Sequence, residues 1–204
     1  GNPVREAITA NAVSPQEARR QLGLPEDKPV LLVVGGSLGA RTINQSVEAS
    51  LEKWKQEGIF TLWQTGKFYA EKCSEIAGKY SDSVIATPFI DRMDLAYRAA
   101  DLVVSRAGAG TISELQLLSK PAVLVPSPNV AEDHQRRNAE ALATRGAAVM
   151  VLDADAPSKL QDTVVSLITD PGRLCKTGEA AGKMALPKAD EKIVDIIDNI
   201  LAKK

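Results

Sequence analysis

Side chains on which much enzyme chemistry depends are scarce in this sequence. Its 204 residues include a single histidine, His134, so no second histidine is available for a metal and no serine-hydrolase triad takes shape around it. The two cysteines, Cys73 and Cys175, lie far apart without metal-ligand spacing, and a reduced cytosolic setting is the simple expectation. Aromatic residues make up only 4% of the chain, which leaves few platforms for stacking bases. The 25 basic and 26 acidic residues nearly cancel to a net charge of −1, so there is no electrostatic footprint for nucleic acid. No apolar run reaches the ~18 residues of a membrane span, and no signal-peptide pattern precedes the first apolar run. Neither a nucleic-acid partner nor a metal or cofactor is implied.

What is present is ordinary for a globular protein: 44% hydrophobic and 25% charged residues, in a length that fits one large α/β domain or two small ones. Strand-like runs occur at Val30–Val34, Ile59–Trp63, Val84–Ala86, Leu102–Val104, Ala122–Val125 and Ala148–Leu152. Most are continuous Val/Leu/Ile runs rather than alternating ones, as expected for parallel strands covered on both faces. Helical patterns separate them. Ile43, Val47, Leu51 and Trp54, for instance, place one apolar stripe toward a sheet. The alternation predicts an α/β fold with a single doubly wound, Rossmann-like parallel sheet of about six strands. Helices are expected at Pro157–Thr169, Gly172–Met184 and Ala189–Leu201. In the last, Ile193, Ile196, Ile197, Ile200 and Leu201 form a full apolar stripe. Two readings of it stand: docking on this domain's own sheet, or packing on a neighbouring domain outside this chain.

Three glycine-rich or polar turns leave strand ends, where ligands of open α/β sheets bind. The first, Gly35-Gly36-Ser37-Leu38-Gly39-Ala40-Arg41-Thr42, fails as a P-loop because Ala40 and Arg41 stand where glycine and lysine are needed. It fails as a dinucleotide fingerprint too, since Val34 replaces a glycine and the second strand runs into Gln64-Thr65 rather than an acidic residue. It remains either a turn offering N–H groups and the Ser37 hydroxyl to an oxygen-rich ligand, or simply a tight connection. The second, Arg106 to Glu114, runs from a strand through Gly108 into a helix start at Ala109, Gly110 and Thr111. Such a start carries unpaired amides and the positive end of the helix dipole. Glu114 would repel phosphate, but one turn beyond a phosphate cradle it suits a ribose diol; the alternative is a solvated carboxylate. In the third, Asp133, His134 and Gln135 crowd a helix start, where His134 reads as a polar contact or cap, or else as a base. After the third strand, Phe89 and Ile90 either offer backbone groups to a planar base or fill core space.

Taken together and in order, these words resemble the C-terminal half of the MurG family: Gly1-Asn2-Pro3-Val4-Arg5, Gly35 to Ala40, Phe89-Ile90, Arg106 to Glu114, and Asp133-His134-Gln135 with Asn138-Ala139. The resemblance covers nearly the whole chain to about Leu152 and is looser over the terminal helices. It implies one half of a GT-B glycosyltransferase that moves N-acetylglucosamine from UDP-N-acetylglucosamine to a lipid-linked muramoyl-pentapeptide in peptidoglycan synthesis. Glu114 would then hold the ribose hydroxyls and the Ile90 backbone the uracil edge. Ser37 and the amides near Ala109, Gly110 and Thr111 would hold the diphosphate, with Gly35, Gly36, Gly39 and Gly108 shaping its loops. Arg5 would add positive charge, and Gln135 with His134 would face the sugar; the family commonly carries glutamine in place of this histidine. No catalytic base is expected within the chain. Residues 1–10 would be a linker remnant, 11–188 the donor-binding domain, and 189–204 a helix for a missing N-terminal half that carries the acceptor site. The lipid-linked acceptor implies a cytoplasmic, peripheral location at the inner membrane face. The alternatives are a donor-binding subunit of a split transferase and a UDP-N-acetylglucosamine 2-epimerase-like protein.

Overall fold

The continuous apolar runs become the strands β1 (Val30–Val34), β2 (Phe60–Gln64), β3 (Val84–Thr87), β4 (Leu102–Ser105), β5 (Ala122–Leu124) and β6 (Val149–Met150). The structure is a computed structural model describing residues 1–10 and 13–201. The expected domain start at residue 11 and the final residues 202–204 lie outside that description. All strand pairs are parallel, in the order β3-β2-β1-β4-β5-β6. Leu31 pairs with Thr61 on one side and Leu102 on the other, which puts β1 and β4 at the centre. The order reverses there: β2 and β3 extend to one side of β1, while β4 to β6 extend to the other. A crevice therefore opens beyond the carboxyl ends of β1 and β4, where chains of this topology bind ligands.

The described residues form ten α-helices: α1 (Glu6–Ala10), α2 (Pro15–Leu22), α3 (Arg41–Gln56), α4 (Ala70–Gly78), α5 (Met93–Ala99), α6 (Ala109–Leu117), α7 (His134–Ala143), α8 (Ala156–Ile168), α9 (Pro171–Lys183) and α10 (Ala189–Leu201). Successive strand residues point to opposite faces, and both faces are dry. Leu31, Val33, Val104 and Val123 join the stripe Ile43, Val47, Leu51 and Trp54 of α3 together with Leu160 and Val164 of α8. Val30, Leu32, Val103 and Leu124 join Tyr97 of α5, Leu115 of α6 and Leu142 of α7. The doubly wound sheet expected from the sequence is thus present, with α3 clamped to α8 by the Trp54 indole, which donates to the Gln161 carbonyl at 3.2 Å. The segment read as linker contains α1, whose Ile8 is buried in the second of these clusters.

One expectation needs correction, and one of the two readings left open for the last helix falls. Of the run Ala148–Leu152 only Val149 and Met150 form a strand, because their single neighbour, β5, is itself three residues long and pairs with them only through Val123 and Leu124. The terminal helix α10 does not dock on the sheet: Ile193, Ile196, Ile197, Ile200 and Leu201 are all exposed, from 42% at Ile193 to 61% at Leu201. In α10 only Ala189 is buried. Among the described residues no helix is long and apolar enough to cross a membrane.

Candidate functional site

Two helix starts face the crevice without side-chain caps. At α6 the N-cap is Gly108, extended at φ −68° and ψ 145°, whose carbonyl takes the Ile112 amide while it has no side chain to offer the first turn. At α3 the N-cap is Ala40, equally unable to cap. The amides of Ala109, Gly110 and Thr111, and those at the head of α3, form the electropositive ends that favour an anion. The glycines around them differ in kind. A Cβ on Gly39 (φ +92°) would lie 2.5 Å from the Thr65 carbonyl oxygen, so Gly39 is required by the packing of the β1 and β2 turns. A Cβ on Gly108 or Gly110 would meet nothing within 4 Å, so neither glycine is demanded by packing. What they leave is open access to the α6 amides.

A cavity of about 640 Å³ lies between the turn after β1 with the head of α3 and the segments that follow β4, β5 and β6, lined by Gly35, Gly39, Arg41, Arg106, Asn129 and Gln135 among others; the α6 amides and Glu114 are not part of its lining. Arg106 forms its inner wall. Its guanidinium donates to the carbonyls of Val125 (3.1 Å) and Pro126 (3.3 Å) and pairs with Asp153. The other Asp153 oxygen accepts from the Thr42 hydroxyl at 2.8 Å. One ion pair thereby ties the ends of β4 and β5, the chain after β6 and the first turn of α3. Gln135 is held by its Oε1, which accepts the Ser127 amide at 3.0 Å. Its other end, an amide with two donors, is available toward the cavity.

On α6, Glu114 keeps 17% of its side chain exposed. Its Oε2 accepts the phenol of Tyr97 at 2.9 Å, and its Oε1 stands 3.9 Å from the Arg5 guanidinium. Burial, reinforced by the neighbouring Glu114 carboxylate, pushes the Tyr97 phenol well above its usual range, so it stays a donor. Asn2 reaches the same turn, its Nδ2 donating to the Ala109 carbonyl (3.4 Å) and the Ser113 hydroxyl (3.3 Å). Arg5 itself is 69% exposed, so its charge is screened by solvent.

The structure places the remaining expected residues as follows. Ile90 is buried in the core with Tyr97 and Ile112, whereas Phe89 is exposed and its carbonyl accepts the Thr87 hydroxyl at 2.8 Å. Core filling therefore describes the Ile90 side chain but not Phe89. Ser37 sits on the turn after β1, where its carbonyl accepts the Lys67 amide and Gly36 has φ +80°. His134 begins α7, and its Nδ1 lies 2.8 Å from the Ala131 carbonyl, a local polar contact. The two residues before it, Glu132 and Asp133, both hold φ above +50°, unusual for non-glycine residues. Asn138 links α7 back to the β4 turn by donating to the Ala107 carbonyl at 3.2 Å. Sequence reasoning missed Asp153, Thr42 and Tyr97, and gave Arg106 no role of its own. The available signal was position: Arg106 and Asp153 both follow strand ends on the ligand-binding rim.

Residues 30–197 match the family described as glycosyltransferase family 28 C-terminal domain. The chain belongs to this family. It is 50% identical over 203 residues to the UDP-N-acetylglucosamine–N-acetylmuramyl-(pentapeptide) pyrophosphoryl-undecaprenol N-acetylglucosamine transferase of Porphyromonas gingivalis, covering 98% of this chain and 54% of that protein. The crystal structure of Acinetobacter baumannii MurG superposes with a TM-score of 0.79 at 28% identity, covering 95% of this chain and 55% of the other. The glycosyltransferase VinC in complex with dTDP gives a TM-score of 0.65 at 26% identity, covering 92% and 44%. This family 28 domain spans about half the length of the curated relatives it matches. The MurG resemblance read from the motifs is borne out, and with it the Rossmann-like GT-B half.

Proposed function

We propose that this family 28 domain is the donor half of a transferase that moves N-acetylglucosamine from UDP-N-acetylglucosamine to a lipid-linked muramoyl-pentapeptide. The observation that carries the reading is the sequence of groups along α6. Uncapped amides at Ala109, Gly110 and Thr111 come first, and a partly exposed carboxylate at Glu114 follows one turn on. Diphosphate and ribose occur in that order in a nucleoside diphosphate. Ser37 and the turn glycines Gly35, Gly36, Gly39 and Gly108 complete the diphosphate cradle. Arg5 adds charge, Gln135 meets the sugar with His134 at its edge, and the Ile90 backbone reads the uracil.

The chemistry asked of this half is charge stabilisation. As the bond between C1 and the diphosphate oxygen breaks, negative charge grows on UDP, and fixed amides stabilise it without reorganising. The acceptor hydroxyl attacks C1 from the opposite face, inverting it, and gives its proton to a base on the N-terminal half. The isolated domain therefore binds donor but does not transfer. The apolar stripe of α10 packs on that same half, and the lipid-linked acceptor brings the assembled protein to the cytoplasmic face of the membrane.

Calorimetry on the purified chain tests the donor reading. UDP and UDP-N-acetylglucosamine should bind, while ADP should bind about tenfold more weakly or worse, for want of a paired base edge. Glu114→Ala should lose ~1.5–3 kcal/mol of UDP binding, the worth of charge-assisted hydrogen bonds. Equal binding of ADP and UDP, or an unchanged Glu114→Ala variant, would remove the assignment.

A further inference from the structure

The hydroxyl of Tyr97 is the one polar atom of a side chain otherwise sunk in the core, with 1% of the residue exposed. A buried phenol needs an acceptor, and a backbone carbonyl would have served. Here the acceptor is Glu114, reached across from α5 to α6 at 2.9 Å. The bond uses one carboxylate oxygen and leaves the other, Oε1, outward beside Arg5. A glutamate on a helix surface otherwise samples several rotamers, and holding one costs entropy that a fixed partner removes in advance. Position adds a second argument. The helix α5 begins at Met93, just past the segment Thr87 to Ile90, and Tyr97 shares its core cluster with Ile90 and Ile112. The base-facing segment and the ribose-facing carboxylate are therefore joined by one short rigid path.

We propose that Tyr97 is a positioning residue for the donor ribose: it fixes Glu114 in the rotamer that presents Oε1 to the diol and sets its spacing from the base-reading segment. This rests on the donor reading given above. A merely structural Tyr97 would satisfy its own hydroxyl and support the core without regard to what the ligand carries.

The two roles separate with a ligand that lacks the diol. Calorimetry on the chain compares wild type and Tyr97→Phe with UDP and with 2′,3′-dideoxy-UDP. The variant should lose about tenfold in UDP affinity, the scale of one hydrogen bond to a charged group, and keep its affinity for dideoxy-UDP. Equal losses for both ligands would overturn the proposal in favour of a structural role, and an unchanged UDP affinity would overturn it outright. A double-mutant cycle supplies an independent arm: in a Glu114→Ala background, where no carboxylate is left to position, Tyr97→Phe should cause no further loss. Further loss there also counts against the proposal. Wild-type chain that binds neither ligand would instead sink the donor reading itself, and the two failures are thus distinguishable.

Discussion

Lys120 shows how the fold can change the ionisation of a single side chain away from the ligand crevice. It sits just before β5, at the opposite end of the sheet, and its ammonium donates to the Ala100 carbonyl at 2.7 Å and the Arg98 carbonyl at 3.4 Å. It thus closes the carboxyl end of α5, where a cation is favoured. Burial nevertheless dominates and pulls its pKa from 10.5 down to about 8; Asp101 opposes the shift, while Arg98 and Arg19 add to it. The sign for stability follows. Between about pH 8 and 10.5 the unfolded chain holds a proton here that the folded chain has lost, so this group's contribution to stability rises with pH across that window. Below pH 8 the cost of burying the charge is present in full. Melting curves of wild type and Lys120→Met from pH 7 to 10.5 should therefore converge or cross in favour of wild type as pH rises. Parallel curves would show that Lys120 titrates normally.

At the scale of elements, glycine positions distinguish what holds the turns together from what leaves them open. Gly39 and Gly66 pack turn against turn; a Cβ on Gly66 would fall 2.0 Å from the Gly39 nitrogen. Gly39→Ala should cost ~1–3 kcal/mol of stability, since both its φ of +92° and its contacts forbid a side chain. Gly110→Ala should leave chemical denaturation unchanged or slightly favourable, because the position is helical and open, yet weaken UDP binding by covering the α6 amides. If both variants lose stability equally, the distinction between packing and access fails. This contrast also marks how far the sequence could be read. Parallel strands buried on both faces advertise themselves as unbroken apolar runs, and the stripe of α3 declares its buried side. The motifs offered Glu114 and Gln135 as candidates because both sit within short words. Tyr97 and Asp153 could not be found that way, since each acquires meaning only from a partner distant in the chain: Glu114 for one, Arg106 and Thr42 for the other. Periodicity likewise reported that α10 has an apolar face but not what covers it.

For the whole molecule, that uncovered face and the one-sided cleft belong to the same problem. The sheet order brings both helix starts to one rim, the place where open α/β sheets bind ligands. In the proposed division of labour the second substrate approaches C1 from the other half, and two walls bury more of a ligand than one. The α10 stripe, with Ile196 at 59% and Ile200 at 57% exposure, supplies apolar area that a second half would cover. Burial of each such side chain contributes about 1.5–3 kcal/mol, enough for a few of them to hold two halves together. The expectation is that purified chain with UDP-N-acetylglucosamine and a lipid-linked acceptor releases no UDP. Adding the separately expressed N-terminal half of a full-length relative should restore release, and Ile196→Asp with Ile200→Asp should abolish that restoration while leaving UDP binding to the chain intact. Transfer by the chain alone would overturn the division of labour between the halves, and restoration that survives both aspartates would show that α10 is not what joins them.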